Sequence, residues 1–405
     1  MSTRVLFLTM YPRLAASPRV RVYQFLDELP RHGVDPVVRP LLDDAEYDAL
    51  RAAGSVGSAA LLAKATVRRV AMLRRVLSSS PPAADRFDAI VVLKAAVPLG
   101  PPWIEQWIGR SDVPLVFDFD DAIYLFKPSV RRPLVDRFRR RPRPDLAVAA
   151  STEVIAANFD LADWARQSNP RVTVIEGADD TDAITPRHYD DAADDAADDA
   201  ADDDTTAPVT IGWIGSPSTV KYLKLIAGPL RTVCESHPSV RLRIVGVRPS
   251  FDPASVGLDG LPVEAVGYEL DRQEADLHSF DVGLMPLPDE DWSLGKCAGK
   301  ARQYMTAAVP PAVSAIGYNS RLIDNGRTGI LCRTADDWTA GLTRLVESAA
   351  LRRRLGLAAR AEVEARYSVA VMAPRLAKVL HRAAGREMPS ETIPDAGPDL
   401  AATAS

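Results

Sequence analysis

Residues 280–331 read FDVGLMPLPDEDWSLGKCAGKARQYMTAAVPPAVSAIGYNSRLIDNGRTGIL, and the order of these pieces decides the fold. The apolar run at 282–287 has the length of a buried strand. A polar loop with Gly295, Lys296, Gly299 and Lys300 follows, then a helix-like segment at 301–308 and a second apolar run at 309–313. Strand, glycine-lysine loop, helix and strand make a βαβ unit. Glycines let backbone approach a ligand closely, exposed N–H groups at a helix start favour anions, and lysines add full charges. The loop fits neither the Walker pattern nor the dinucleotide fingerprint. An ordinary surface loop with solvated lysines is the competing reading.

The same alternation extends in both directions. Strand-like runs fall at 5–10, 34–38, 89–93, 115–119, 146–150 and 172–175, with helical spacing at 19–29 and 161–167. The second half offers strands at 209–214, 242–247, 263–266, 281–287, 311–314 and 329–332. Its helices are expected at 219–234, 301–308, 336–346, 351–364 and 369–380. Strands alternating with helices predict α/β architecture with two parallel, doubly wound sheets.

Gln303-Tyr304-Met305-Thr306, Val309-Pro310-Pro311-Ala312-Val313, Gly317-Tyr318-Asn319 and Asn325-Gly326-Arg327-Thr328-Gly329-Ile330-Leu331 follow one another in the opening stretch. In this order they resemble the donor half of GT-B glycosyltransferases, specifically glycosyl transferases group 1 (family 4). The likeness continues through Arg352–Gly356 and Glu364–Ser368 and reappears near the start of the chain. It implies two Rossmann-like domains with a cleft between them, a nucleotide-diphosphate-sugar donor, an acceptor hydroxyl and retention at the anomeric carbon. It also implies domain closure that excludes water. The expected division is an acceptor domain at 1–185, a linker insertion at 186–207, a donor domain at 208–366, a C-terminal helix at 367–386 and a tail at 387–405.

On the donor side, 208–223 reads PVTIGWIGSPSTVKYL, a strand, a turn and a helix start that Ser218 or Thr219 can cap. Aligned on Gly215, the family's diphosphate-binding Arg becomes Ser216, while its Lys is kept as Lys221. A hydroxyl reaches a phosphate oxygen but cannot form a bidentate charged pair. Lys296 and Lys300 are the candidates to compensate, with Thr219 and Gly299 in the same loops. Of the family's two glutamates, the first aligns with Gly295, which has no side chain, and the second with Gln303, which can still bind ribose hydroxyls. Tyr268 falls where the family contacts the base. Tyr304 and Met305 read as core.

On the acceptor side, 11–25 joins the first strand to the first helix and carries Ser17, Arg19 and Arg21. Open α/β sheets bind ligands at the carboxyl ends of their strands. The run at 115–124, LVFDFDDAIY, places Asp118, Asp120 and Asp121 at such an end. Close carboxylates raise one another's proton affinity, making one a base or a hydrogen-bond acceptor. Asp120 and Asp121 are the catalytic candidates, and Asp118 reads as structural. Asn158 falls at the family's turn near the cleft, with helix capping as the competing reading.

Composition sets the remaining bounds. At 405 residues the chain suits two cores. Three cysteines without C-x-x-C spacing favour reduced thiols in a cytoplasmic protein, and five scattered histidines offer no metal set. No cofactor or metal is expected. The DDAADDAADDAADDD run at 190–204 supplies much of the net charge of −5 and cannot build a core. The helical pattern at 61–77 puts Leu62, Val70, Leu73 and Leu77 on one stripe and Lys64, Arg68 and Arg75 on another, and 127–143 is arginine-rich. Two readings stay open for them: a packing helix with a solvated loop, or peripheral contact with an anionic membrane face. Nucleic acid is not expected, because no groove-reading motif accompanies the charge. The rival functions are a nucleotide-sugar epimerase of the same architecture and a non-catalytic nucleotide binder.

Overall fold

A computed structural model describes residues 2–52, 55–98, 102–125, 144–189 and 208–388. The Asp-Ala repeat, the arginine-rich stretch and the tail from 389 onward lie outside them. The described chain forms two compact units, Met1–Ala178 with Val369–Ser405, and Asp179–Ser368.

The first unit holds six parallel strands: β1 (Thr3–Thr9), β2 (Val34–Pro40), β3 (Ala89–Leu93), β4 (Leu115–Phe119), β5 (Glu153–Ala156) and β6 (Val172–Val174). Their order is β2-β1-β3-β4-β5-β6. β3 and β4 are buried at every position, as strands covered by helices on both faces must be. The second unit holds β7 (Thr210–Ile214), β8 (Arg241–Val245), β9 (Val263–Val266), β10 (Val282–Met285), β11 (Pro311–Ser314) and β12 (Ile330–Cys332). Their order is β12-β11-β10-β7-β8-β9, again parallel throughout. Chain direction across the sheet reverses between β1 and β3 in one unit and between β7 and β10 in the other. The loops leaving those strands flank the crevices where doubly wound sheets bind ligands.

One expected strand is a helix. The apolar run at 146–150 lies in Pro144–Ala150, and the strand is the next segment, Glu153–Ala156. A short apolar run does not distinguish the two states, and Pro144 suits a first helical turn. Glu153 concealed the true strand, since a glutamate that is 1% exposed is rare. Its carboxylate is held by the Arg382 guanidinium through two bonds of 2.7 Å. Two expected helices are broken. Residues 19–29 form Ala16–Arg21 and a 3₁₀ turn at Tyr23–Phe25, and 219–234 form a 3₁₀ segment, Val220–Ile226, followed by Ala227–Ser236. The change at Ala227 precedes Pro229, which has no N–H to continue a helical ladder.

The division also differs from the expected one. The helix Val369–Ala383 belongs to the first unit: His381 Nδ1 meets Thr3 Oγ1 at 2.8 Å and Nε2 donates to the His32 carbonyl at 2.8 Å. Residues 179–189 belong to the second. Asp179 pairs with Arg302, Arg360 donates to the Thr181 and Ile184 carbonyls, and the Tyr189 hydroxyl donates to the Ala308 carbonyl. Buried arginines seeking carbonyls draw the segment onto this unit, which apolar patterning does not report.

The amphipathic helix is a packing element. Ser55–Val76 buries Leu62, Ala65 and Leu73, with Leu62 and Ala65 against Leu41, Leu42 and Leu50. Arg68 pairs with Glu46 at 2.7 Å and Arg75 with Asp85 at 2.6 Å, so much of its basic stripe is neutralised within the unit. Among the described residues no helix is long and apolar enough to cross a membrane.

Candidate functional site

Each unit carries its own cluster at the crevice its sheet topology marks. In the second unit, β7 runs out at Ile214 into Gly215, whose N–H donates to the Val245 carbonyl at 3.0 Å. A β-carbon on Gly215 would lie 2.6 Å from Lys300 Cε and 2.7 Å from the Trp213 ring. A side chain here would push the lysine and the ring aside, so the glycine is what lets Lys300 lie against this backbone. The Lys300 ammonium lies 5.6 Å from the Trp213 ring centroid. Lys300 is the second residue of the helix Gly299–Thr306, whose N-cap, Ala298, is left-handed at φ +50° and supplies no side-chain cap. The first turn of this helix lies in the loop that carries Lys296 and Lys300, and a helix start is a place where backbone N–H groups favour an anion.

Gln303 lies one turn beyond Gly299 on the same helical face and is half-buried. Ser216 Oγ meets Ser218 Oγ at 2.8 Å, and Thr219 Oγ1 donates to the Ser216 carbonyl at 3.1 Å. Neither Ser218 nor Thr219 caps the next helix as expected, because these hydroxyls fold the turn back on itself. Lys221 and Lys296 sit over rings of their own neighbourhoods, Tyr222 and Trp292, each at 5.2 Å. The Tyr268 hydroxyl donates to Gln273 Oε1 at 2.6 Å. Tyr304 is core, as expected: its hydroxyl donates to the Leu284 carbonyl and accepts from the Ile214 N–H, tying the helix to β10 and β7. Burial pushes its phenol upward from the usual range.

Sequence reasoning passed over Arg302. It is fully buried, with Nε donating to Asp179 Oδ2 at 2.7 Å and Nη1 to the Cys297 carbonyl at 2.9 Å. Gly299, Lys300 and Gln303 thus stand on a helix anchored from beneath by an ion pair and by Tyr304.

In the first unit, Ser17, Asp118, Asp120 and Asp121 come together with a residue the sequence reading missed, Lys94. Its Nζ lies 2.7 Å from Asp120 Oδ1 and 2.6 Å from Asp121 Oδ2, and Ser17 Oγ donates to Asp120 Oδ1 at 2.9 Å. Lys94 follows the five-residue apolar run of β3 directly, which was the available signal: the first polar residue beyond a buried parallel strand stands at the ligand-binding edge. Burial disfavours its charge, but Asp120 and Asp121 outweigh that and push its pKa upward. The expected mutual repulsion of the carboxylates is therefore relieved by a shared cation.

Arg21 departs from its expected role. Its Nε and Nη2 grip Asp118 at 2.7–3.2 Å and its Nη1 donates to the Ile175 carbonyl, all out of contact with water. It is a strut under β4 rather than an acceptor contact, and Asp118 is structural with it. Burial pushes the Asp118 carboxyl upward and Arg21 opposes this. Arg19 is likewise buried. Asn158 is buried and caps Phe159–Arg166, accepting from the Leu161 N–H at 2.8 Å. Capping accounts for its place. Among the described residues no group of three or more His, Cys, Asp or Glu side chains could hold a metal ion.

Comparison with known proteins bears on both units. Residues 208–348 match the family model described as Glycosyl transferases group 1, which bears out the resemblance over the second unit. No curated protein matches the chain in sequence. Among solved structures, HepE of Anabaena in complex with UDP and glucose is similar with a TM-score of 0.63 at 15% identity, covering 94% of this chain and 100% of that one. Sucrose-phosphate synthase from Thermosynechococcus elongatus gives 0.61 at 13% identity, covering 94% and 99%. A glycosyltransferase from Rickettsia africae gives 0.61 at 13% identity, covering 94% and 98%. The two parallel six-stranded sheets are those of the GT-B fold.

Proposed function

We propose that this protein is a glycosyltransferase that moves a sugar from a nucleotide-diphosphate-sugar to an acceptor hydroxyl, with retention at the anomeric carbon. One observation carries the reading: the family match coincides with the unit in which Gly215, Lys300 and the helix start at Gly299 converge at the sheet's crevice. The leaving diphosphate gains negative charge in the transition state. Preorganised N–H groups and a lysine stabilise that charge without reorganising during the reaction. Lys300 is the principal cation, Lys221 and Lys296 add to it, and Ser216 donates a hydroxyl where the family pattern has Arg. Gln303 takes the ribose and Tyr268 faces the base.

The first unit supplies the acceptor side. Asp120 or Asp121 accepts the hydrogen bond of the attacking hydroxyl and takes its proton as the glycosidic bond forms. Lysines and helix N–H groups make a divalent metal unnecessary for diphosphate departure.

Calorimetry with UDP, GDP, ADP and dTDP sugars tests the donor half. At least one should bind, and Lys300→Ala should weaken it while Asp120→Asn leaves it unchanged. Absence of binding by every nucleotide-sugar would overturn the reading. Binding followed by sugar epimerisation without nucleotide release would replace transfer with epimerase chemistry.

A further inference from the structure

We propose that Lys94 is a positioning residue of the transfer reaction, holding Asp120 and Asp121 as one ionised, jointly aimed pair that receives the acceptor hydroxyl. The proposal rests on the acceptor-side reading above and adds to it the residue that makes two adjacent aspartates act together. Three independent features point to Lys94. Its Nζ is within 2.7 Å of both carboxylates. Its backbone is left-handed at φ +63°, a conformation a lysine adopts only where its surroundings impose it. Its N–H donates to the Asp118 carbonyl at 2.7 Å, so the strained turn is hydrogen-bonded to the strand end that bears the carboxylates.

The neighbourhood explains what the cation does. Below it, Asp118 is matched by Arg21 from the helix Ala16–Arg21, which also buries Arg19. Beyond β3, Glu105 accepts from the Ala96 N–H at 2.7 Å and fixes the loop two residues past Lys94. Above β1, Arg69 donates to the Thr9 carbonyl at 3.1 Å. Among the described residues, Lys94 is a cation that reaches both Asp120 and Asp121. Without it, two neighbouring carboxylates would repel, and one would take up a proton more readily and lose its capacity to accept another.

The sign follows for pH. Transfer needs an ionised carboxylate, so activity falls on the acid side as that group protonates. Removing the cation makes protonation easier, and the acid limb moves to higher pH.

Lys94→Met keeps the chain length and the same left-handed demand while deleting the charge, and Lys94→Arg restores it. Both would be compared with Asp120→Asn and Asp121→Asn by UDP release from UDP-glucose with glucose as acceptor across pH 5–9. Calorimetry with UDP and ¹³C NMR titration of labelled aspartate carboxyls, which needs no turnover, complete the set. For Lys94→Met we expect UDP affinity within about twofold of the parent and one Asp carboxyl titrating about one pH unit higher. We further expect the acid limb of kcat/KM raised to match, with a loss that grows toward pH 5, and partial recovery in Lys94→Arg. An unmoved carboxyl titration, or a rate loss equal at every pH, would overturn the proposal and leave Lys94 a structural residue. Full transfer in both Asp→Asn variants would instead defeat the acceptor-side reading, whatever Lys94→Met does.

Discussion

A methyl group added at Gly246 would sit 1.8 Å from the Gly215 carbonyl oxygen, at a φ of +96° that side chains rarely adopt. The loop leaving β7 is thus fixed by an absence of atoms at Gly246 and at Gly215 itself. Gly246→Ala should displace the Gly215 backbone and weaken nucleotide-sugar binding about tenfold or more, read by calorimetry. At Lys300 the structure sharpens the expectation from sequence. Deleting a charge-assisted contact removes about 1.5–3 kcal/mol, roughly tenfold to more than a hundredfold in affinity. Lys300→Ala should reach that range because the side chain lies against Gly215, whereas Lys221→Ala should do less, its ammonium lying over Tyr222. Equal losses in the two variants, or none in Lys300→Ala, would contradict this ranking.

At the scale of elements, the helix Gly299–Thr306 was legible because a glycine-lysine loop between two apolar runs has few other readings. What held it was not. Arg302 and Asp179 are more than a hundred residues apart, and neither lies in a pattern that announces a buried pair. Breaking such a pair strands a charge away from water and costs about 3–5 kcal/mol. Arg302→Met should therefore destabilise the second unit by that order in urea unfolding, and adding Asp179→Asn should recover part of the loss. The first unit shows the converse. Asp118 was separable from Asp120 and Asp121 by its place inside the apolar run, yet Arg21 and Lys94 were not assigned their partners, since ion pairing leaves no periodic trace. Glu153 hid a strand for the same reason. Pattern reports which surfaces are apolar; it is silent about which charges are cancelled.

At the scale of the molecule, the chain builds one unit, builds the second, and then returns its last described helix to the first. Arg382 and His381 secure that return through Glu153, Thr3 and the His32 carbonyl. Arg382→Met leaves Glu153 buried without its cation and should lower the first unit's stability by about 3 kcal/mol. Nucleotide-sugar binding, proposed for the second unit, should persist, and calorimetry beside thermal unfolding separates the two effects. Metal independence is a second test at this scale: transfer should survive EDTA if protein cations carry the diphosphate charge, and a complete loss restored by Mg²⁺ would contradict that.

The central claim is tested most directly by following the sugar itself. Incubation with each nucleotide-sugar and a panel of hydroxyl acceptors, monitored by ¹H NMR, reports both nucleotide release and the new anomeric signal. The account predicts nucleoside diphosphate released in step with a new glycoside of unchanged anomeric configuration, lost in Asp120→Asn or Asp121→Asn. Sugar isomerised while still attached to the nucleotide, or bound donor that is never consumed, would contradict it.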